Sequence, residues 1–343
     1  MVGYLRFVLA ALVVYSHLNY PLWRFLGISI NQGVYAVFAF YIISGFFTAA
    51  IFDRHQGENQ LRNFYVDRTL RIYPLFLTVI TFTGLIGIFH YEPGLRASAG
   101  DYREWQVWLK AALQPFNGLV SFFFGGDFPY GPFFAFTPVA SLALEVNYFA
   151  IYPVFRRLRY WMVVLAAAAS VTLVISSLLA GNANDIENYS YRFLIGVLPT
   201  FLTGYLVYRS LSEPTALWLR GWFVALALGL ALVIAIKCLN PVSTKWVGEM
   251  ALALLTTPAL LILALRFKPL RYDVLFGYLA YGIFLVHIPV IRYLHLKRDS
   301  DFDFIYAMFI ATAISWALHW VIEKHVIGLR HRFARVKEIR ISS

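Results

Sequence analysis

The stretch LRFVLAALVVYSHL, residues 5–18, is apolar except for Arg6 and, eleven positions later, His17. A helix turns about 100° per residue, so eleven steps come within about 20° of three full turns. Arg6 and His17 therefore share one helix face and lie roughly 16 Å apart along it, about half the thickness of the hydrocarbon layer of a bilayer. One ionisable side chain is expected near a membrane surface and the other deep within the membrane.

The composition of the whole chain places this helix in a membrane. The 343 residues are 60% hydrophobic, 18% aromatic and only 14% charged, whereas soluble domains are about 25% charged. About ten apolar runs are long enough to cross a bilayer, so we predict an all-α polytopic membrane protein. These runs lie near residues 3–24, 33–52, 73–91, 135–155, 160–180, 192–208, 217–237, 246–265, 273–293 and 303–322.

Basic residues between the runs predict the orientation. With ten spans both termini lie on one side, where the links and the tail carry 17 basic residues against 10 on the other side. Positive charge favours the cytoplasm, so both termini are predicted to be cytoplasmic. This distribution accounts for the net charge of +11 without a nucleic-acid partner. No small-residue cleavage pattern follows the first run, so we interpret it as an uncleaved helix.

We divide the chain into a transmembrane domain, residues 1–325, and a basic cytoplasmic tail, residues 326–343, interpreted as an electrostatic anchor to membrane lipid. One long link, near residues 92–134, is predicted to lie on the outer face. Its segment EWQVWLKAAL (104–113) suits an amphipathic helix at the interface, and FFFGGDFPYGPFF (122–134) is an aromatic loop. The aromatic rings either stack on sugar rings or form an interfacial belt.

Ionisable side chains at membrane depth are costly and are therefore functional candidates. Beyond the first helix, these are Glu145, Glu249, His287 and His319. We expect His17 and His287 in the outer halves of their helices and Glu145 near the middle of its own, so that the three line one water-accessible cavity. Alternatives are hydrogen-bonded packing for each histidine and snorkelling of Arg6 to the headgroups. No His, Asp or Glu cluster has ligand spacing, so no metal is expected.

A second candidate site lies in NFYVDRTLRIYPLF, residues 63–76, on the predicted cytoplasmic side. Arg68 and Arg71 are three positions apart and share a face if the segment is helical. Two guanidinium groups at this spacing form a fork for phosphate oxygens, because each donates paired hydrogen bonds to an anion. The alternative interpretation is a basic anchor at the inner membrane surface.

Five elements of the chain, in order, resemble the acyltransferase family 3 membrane proteins, which transfer acyl groups, usually acetyl, to exported carbohydrates. They are the Arg6–His17 pair, GVYAVFAFYIISGFF (33–47), FYVDRTLRIYP (64–74), SLALEVNYFAIYP (141–153) and YLAYGIFLVHIPV (278–290). The chain departs from the family pattern at Val139 and Ala140, where a Trp commonly precedes the Ser, and at His325, where Pro is usual. No C-terminal periplasmic domain is expected.

The resemblance implies an acyl donor, acetyl-CoA or another acyl-CoA, and a hydroxyl of an exported or cell-surface glycan as acceptor. It implies donor binding by Arg6, Arg68 and Arg71, catalysis by His17 with Glu145, and acceptor binding by His287 and Tyr281. His17 is either the general base or the residue that carries the acyl group. A bacterial inner membrane location and other polysaccharide biosynthesis proteins as partners are also implied.

Two other functions also need buried charges and about ten helices. One is transport or flipping of a lipid-linked glycan, although no symmetric repeat or matching pair of broken helices is seen in the sequence. The other is a non-catalytic membrane subunit of a polysaccharide synthesis complex, in which the charges join helices to each other. Replacing His17 by Ala distinguishes these functions from acyl transfer, because it should abolish the enzyme and leave the fold intact.

Overall fold

The apolar runs of the sequence are helices in the computed structural model, which describes residues 1–18, 23–55, 57–85, 139–182, 186–213, 220–239, 241, 243–296 and 300–333. The long helices in these ranges are α1 (Val2–Leu18), α2 (Gln32–Arg54), α3 (Gln60–Leu85), α4 (Val139–Arg157), α5 (Tyr160–Ala180), α6 (Leu194–Ser212), α7 (Gly221–Leu239), α8 (Val247–Arg266), α9 (Asp273–Tyr293) and α10 (Asp301–Leu318). The predicted outer link, residues 92–134, with its amphipathic segment and aromatic loop, lies outside the described residues.

Seven helices of the described chain are long and apolar enough to cross a membrane: α2, α5 to α9, and the continuous helix Asp301–Arg330 that contains α10. The other three occupy the remaining predicted spans. The helix α1 is apolar but has 17 residues, and α3 and α4 carry charged residues among their apolar ones. The chain is therefore an all-α polytopic membrane protein, as the sequence predicted.

Two boundaries differ from the predicted spans. The first helix ends at Leu18 rather than near residue 24, since a hairpin of β1 (Trp23–Phe25) and β2 (Ile28–Ile30) follows it. Leu26 and Gly27 form its turn, both at positive φ (50° and 76°), as a two-residue hairpin turn requires. The helix α3 begins at Gln60, well before the predicted start near residue 73, because its first turns are amphipathic rather than uniformly apolar.

The core is built around α2, which packs against α1, α6 and α8. Where α2 crosses α6, a Cβ added at Gly45 would lie 2.0 Å from the carbonyl oxygen of Phe201, and one added at Gly204 would lie 1.9 Å from that of Ile42. The two backbones are thus in direct contact, and small residues are what allow such an approach between membrane helices. The Phe201 ring stacks on Tyr41 and Tyr148, each with ring centroids 4.5 Å apart.

Polar contacts at one end of the bundle join helix ends as an alternating up-and-down topology requires. The N-terminal ammonium donates to the carbonyl of Ala264 at the end of α8 (3.2 Å), and the backbone N–H of Tyr4 donates to Asp273 at the start of α9 (3.1 Å). Arg156 at the end of α4 pairs with Asp53 at the end of α2 (2.9 Å). We call the end of the bundle where these contacts lie the arginine-rich end. It is the end that was predicted to be cytoplasmic.

The predicted basic tail begins inside this bundle. A π-helical turn, His319–Glu323, joins α10 to α11 (Lys324–Phe333) without a break, so the predicted boundary after residue 325 falls within a continuous helix. Arg330 of α11 is paired with Asp67 of α3. The interpretation of the tail as a lipid anchor is therefore wrong for Arg330, whose charge is held within the protein. Residues 334–343 of the tail lie outside the described residues.

Candidate functional site

A cavity of about 340 Å³ lies among α1, α2, α3, α4, α9 and α11. Its charged lining residues are Arg6, Arg68, Arg71, Arg330, Glu145 and Asp273, and its polar uncharged ones are Tyr41, Ser44, Ser141, Tyr278 and Tyr281. The lining residues thus carry four guanidinium groups and two carboxylates. The three arginines predicted from the sequence as donor-binding residues, Arg6, Arg68 and Arg71, thus lie together in one cavity.

Helical spacing places Arg68 and Arg71 on the cavity side of α3. Arg71 donates from Nη1 to Glu323 Oε1 at 2.7 Å, and its guanidinium lies 4.8 Å from the ring centroid of Tyr278 and 5.1 Å from that of Tyr281. Both aromatic faces favour the cation electrostatically. The hydroxyl of Tyr281 donates to the carbonyl of Ile72 at 3.0 Å, so its ring supports Arg71 while its hydroxyl joins α9 to α3. Acceptor binding by Tyr281 stays a prediction.

The carboxylate of Asp67 holds two of the lining arginines. Arg68 donates to Oδ2 through Nε and Nη2, and Arg330 donates to Oδ1 through Nε at 3.0 Å and Nη2 at 2.8 Å. Asp67 precedes the predicted span of α3. Burial alone would raise the pKa of this carboxyl, but the charges of the two arginines outweigh burial and lower it. Asp67 is therefore ionised at neutral pH.

Two further lining residues are a cation and a carboxylate. Arg6 of α1 lines the cavity, and no ion pair joins Arg6 to another described residue. Glu145 of α4 accepts a hydrogen bond from Ser44 Oγ of α2 at 2.5 Å. A half-buried carboxylate already oriented by a hydroxyl can accept a further hydrogen bond from a bound ligand.

His17 and His287 lie beside each other, with ring centroids 5.1 Å apart. His17 is exposed and His287 is fully buried. In the tautomer with a proton on Nδ1, His287 donates to the carbonyl of Ile283 at 3.2 Å and leaves Nε2 as an acceptor; this atom is buried without a hydrogen-bond partner among the described residues. His17 is the last residue but one of α1, and His287 lies in the second half of α9; the depth of both side chains in the membrane stays a prediction.

The expectation that both histidines share a cavity with Glu145 is wrong for the described residues. Glu145 lines the cavity and the histidines do not. The reason is the ring of Phe284, one helical turn before His287 on α9, which lines the cavity and lies 6.2 Å from the His287 ring. Phe284 also packs on Phe40 at 5.7 Å. Two aromatic rings therefore stand between the arginine-lined cavity and the histidines.

Three residues that contribute to the site were not predicted from the sequence. Glu323 bridges Arg71 and His319, whose Nδ1 lies 3.0 Å from Glu323 Oε2, and Asp67 and Arg330 form the pair described above. Glu323 lies directly after the predicted run 303–322, so it was not counted among the ionisable residues at membrane depth. Glu249 has another role. Its carboxylate accepts a hydrogen bond from the backbone N–H of Asn31 at 2.8 Å, and Asn31 is the residue that caps α2.

Comparison with known families identifies the chain. The model of the acyltransferase domain of family 3 matches residues 2–322, nearly the whole length. The chain belongs to acyltransferase family 3. A relative in Aquifex aeolicus (strain VF5), described as an uncharacterized protein, is 24% identical over 209 residues, which cover 60% of this chain and 93% of the relative. No solved structure matches the chain.

The described residues of this family 3 acyltransferase include guanidinium groups in the cavity and two neighbouring imidazole groups. Guanidinium groups can hold an anionic substrate, and imidazole can accept the proton of a hydroxyl or the acyl group itself. Within the described ranges, no three His, Cys, Asp or Glu side chains are grouped so that they could hold a metal ion. The family match ends at residue 322. Glu323, which holds Arg71, and Arg330, which lines the cavity, therefore lie beyond it.

Proposed function

We propose that this acyltransferase takes its acyl group from cytoplasmic acyl-CoA, with acetyl-CoA the commonest donor in the family, and transfers it to a hydroxyl of an exported or cell-surface glycan. The observation that carries the proposal is the cavity lined by Arg6, Arg68, Arg71 and Arg330 at the arginine-rich end. The nucleotide end of CoA carries several phosphate charges. Guanidinium groups bind phosphate through paired, charge-assisted hydrogen bonds.

The roles proposed for the deeper residues follow the path of the thioester. Arg6 would hold a phosphate or a pantetheine carbonyl, and the thioester would pass Phe40 and Phe284 to reach His17. Glu145 would orient a hydroxyl of the acceptor or the donor arm, and His287 with Tyr281 would contact the acceptor. The exposure of His17 beside the buried His287 supports its assignment as the reactive imidazole.

Two routes are compatible with these residues. In the first, His17 accepts the proton of the acceptor hydroxyl while the oxygen attacks the thioester carbonyl carbon, the carbon–sulfur bond breaks and the proton leaves with the CoA thiol. In the second, an imidazole nitrogen attacks the thioester, releasing CoA thiol and forming an acyl-imidazole that the hydroxyl then attacks. Both routes give one ester and one thiol.

The setting proposed with this function is the bacterial inner membrane. Lipid surrounds the helices, the glycan acceptor is met at the outer side, and other polysaccharide biosynthesis proteins are candidate partners. The apolar helices support a membrane location in general. No role is proposed for nucleic acid, since the basic residues are accounted for by the cavity and by the ends of the helices.

The test is binding and hydrolysis of acetyl-CoA by the purified protein in detergent. The Arg68→Ala/Arg71→Ala variant should bind acetyl-CoA about 10- to 100-fold more weakly, and Arg68→Lys/Arg71→Lys should also bind weakly while keeping the charge. His17→Ala should bind normally and lose turnover. Matched controls are Arg62→Ala, an exposed arginine of α3, and His325→Ala, an exposed histidine of α11, and both should behave as wild type.

The same experiment separates the proposed enzyme from the other functions. If well-folded wild-type protein binds no acyl-CoA, the donor assignment is wrong, and glycan transport or a structural role in a synthesis complex gains weight. If His17→Ala keeps full turnover, the donor site stands but the assignment of His17 as the reactive group does not.

A further inference from the structure

The C-terminal helix α11 supplies a cation to the cavity from beyond the family match. Arg330 lines the cavity together with Arg68, and both are bound to the one carboxylate of Asp67, Arg68 on Oδ2 and Arg330 on Oδ1. The side chains are largely buried, with exposed fractions of 6% for Asp67, 11% for Arg68 and 19% for Arg330. Two guanidinium groups share one negative charge, so the group keeps a net positive charge.

The geometry of this group leaves hydrogen-bond donors for a ligand. Each arginine donates to Asp67 through the same edge, Nε and Nη2. The Nη1 group of each has no acceptor among the described residues, and a guanidinium has five N–H donors in all. Two arginines held side by side by a shared carboxylate can therefore offer several donors to one anion without rearranging, and such preorganisation increases affinity.

We infer that α11 is part of the donor site: Arg330, together with Arg68, binds a phosphate group of the acyl donor, and Asp67 is a positioning residue that holds the two guanidinium groups for it. The inference rests on the proposed function and assigns one phosphate subsite within it. Arg71, held by Glu323, and Arg6 remain for the rest of the donor. The C-terminal helix is then needed for substrate binding as well as for packing on α3.

The first test measures the Kd of CoA by calorimetry in dodecyl maltoside, a detergent that has no phosphate. Arg330→Gln should weaken CoA binding by about 10-fold or more and raise the KM for acetyl-CoA with little change in kcat. The matched control is Lys324→Gln, which removes a cation from the same helix. Lys324 is exposed and lies over the ring of Trp320 (4.3 Å) rather than in the cavity, so the Kd should change less than about twofold.

A double variant separates ligand binding from simple charge balance. If Arg330 serves only to neutralise Asp67, Asp67→Asn/Arg330→Gln should restore the wild-type Kd of CoA, because it removes both charges of the pair. If Arg330 binds the phosphate, the double variant should still bind at least about 10-fold more weakly than wild type. Restoration of the Kd would overturn the inference, and so would an unchanged Kd in Arg330→Gln.

The phosphate bound by Arg330 could instead belong to a lipid headgroup. Measuring CoA binding both in maltoside and in lipid nanodiscs distinguishes the two sources. If Arg330 binds a lipid headgroup, Arg330→Gln should bind CoA normally in maltoside and show a difference from wild type only in phosphatidylglycerol nanodiscs; that result would overturn the inference. If wild-type protein binds no CoA in either medium, the proposed function fails. If wild-type protein binds CoA and Arg330→Gln binds it equally well, only the phosphate subsite assigned to Arg330 is contradicted.

Discussion

At the scale of single residues, the buried charges of this protein form small networks of ion pairs, and each network includes an arginine that lines the cavity. Arg71 is joined to Glu323 and through it to His319, and Arg68 is joined to Asp67 and through it to Arg330. Each carboxylate compensates a cation that would be costly to bury alone. The arginines can therefore remain charged in a low-dielectric environment and still offer free N–H groups to a substrate.

Two ion pairs that differ in burial give a first prediction. In the buried pair, the side chains of Arg71 and Glu323 are only 16% and 7% exposed. Glu323→Ala leaves Arg71 unpaired and should lower the free energy of unfolding by about 3 kcal/mol. Asp53→Ala breaks the Arg156 pair, which is 33% and 24% exposed, and should cost about 0–1 kcal/mol. Thermal unfolding in detergent measures both. Equal losses would show that burial of the Arg71 pair has no energetic consequence.

His55, directly after α2, gives a prediction for pH. Its side chain is buried, and burial lowers its pKa below the ordinary value of 6.5; Asp67 acts in the opposite direction, and Arg68, Arg54 and Arg330 add to the lowering. A pKa that is lower in the folded state gives stability that is complete above the unfolded pKa and is lost as pH falls through the folded pKa.

The melting temperature should therefore fall between pH 7.5 and pH 5.5, and less so in His55→Gln, which cannot take up a proton. The measurement is the difference between wild type and His55→Gln at each pH, because the other histidines titrate in both proteins. The same pH dependence in both would remove His55 as a contributor.

At the scale of elements, the sequence predicted the helices α1 to α10 but not α11, and it did not predict every boundary or contact. Apolar runs specify spans because the bilayer sets their length, and α9 lies where the run was expected, at residues 273–293. The hairpin was missed because WRF and ISI are too short to show an alternating pattern, and its turn puts Leu26, a residue that rarely adopts positive φ, in that conformation. The start of α3 was missed because its first turns are polar.

The contacts that complete the site could not be read from sequence, for a different reason. Arg71 and Glu323 are 252 positions apart, and Asp67 and Arg330 are 263 positions apart. Local spacing places residues on a helix face, as it did for Arg6 with His17 and for Arg68 with Arg71. Partners on distant helices depend on how the helices pack, which spacing within one helix does not encode. The position of Phe40 and Phe284 between the cavity and the histidines could not be predicted for the same reason.

The crossing of α2 and α6 gives a prediction for packing. Gly45→Ala places a methyl group 2.0 Å from the backbone oxygen of Phe201, so the helices must separate, and the free energy of unfolding should fall by about 1–3 kcal/mol or more. The control is Gly328→Ala in α11, where an added Cβ meets nothing within 4 Å. Alanine should be neutral there or stabilising by about 0.5–1 kcal/mol. Unfolding of both variants by heat tests the contrast, and a stable Gly45→Ala would mean that the crossing tolerates separation.

At the scale of the whole molecule, the cavity and the histidines divide the bundle along its axis. The arginines lie toward the end that carries the N-terminus, and His17, near the other end of α1, lies beyond the rings of Phe40 and Phe284. A donor entering at the arginine-rich end and an acceptor arriving from the opposite side would meet at this division. The proposal therefore depends on the orientation of the bundle in the membrane.

The orientation can be tested with the chain's single cysteine. Cys238 is exposed near the end of α7, and α7 starts beside the end of α6, where the N–H of Gly221 donates to Ser210 at 2.7 Å. The end of α6 lies at the arginine-rich end, because Arg209 donates to the carbonyl of Leu158, directly after α4, at 3.3 Å. Cys238 is therefore at the opposite end, and a membrane-impermeant maleimide should label it in intact cells. In Cys238→Ser/Ser212→Cys, the cysteine moves to the arginine-rich end, and labelling should require permeabilised cells.

The reverse pattern would place the four cavity arginines on the outer side, where no acyl-CoA is made. Cys238→Ser serves as the unlabelled control in both conditions, so background reaction cannot imitate either result. Binding of CoA in detergent does not depend on orientation, which makes the two measurements independent. A protein that binds CoA and is labelled at Cys238 only after permeabilisation would have a genuine donor site and an orientation opposite to that predicted from its basic residues.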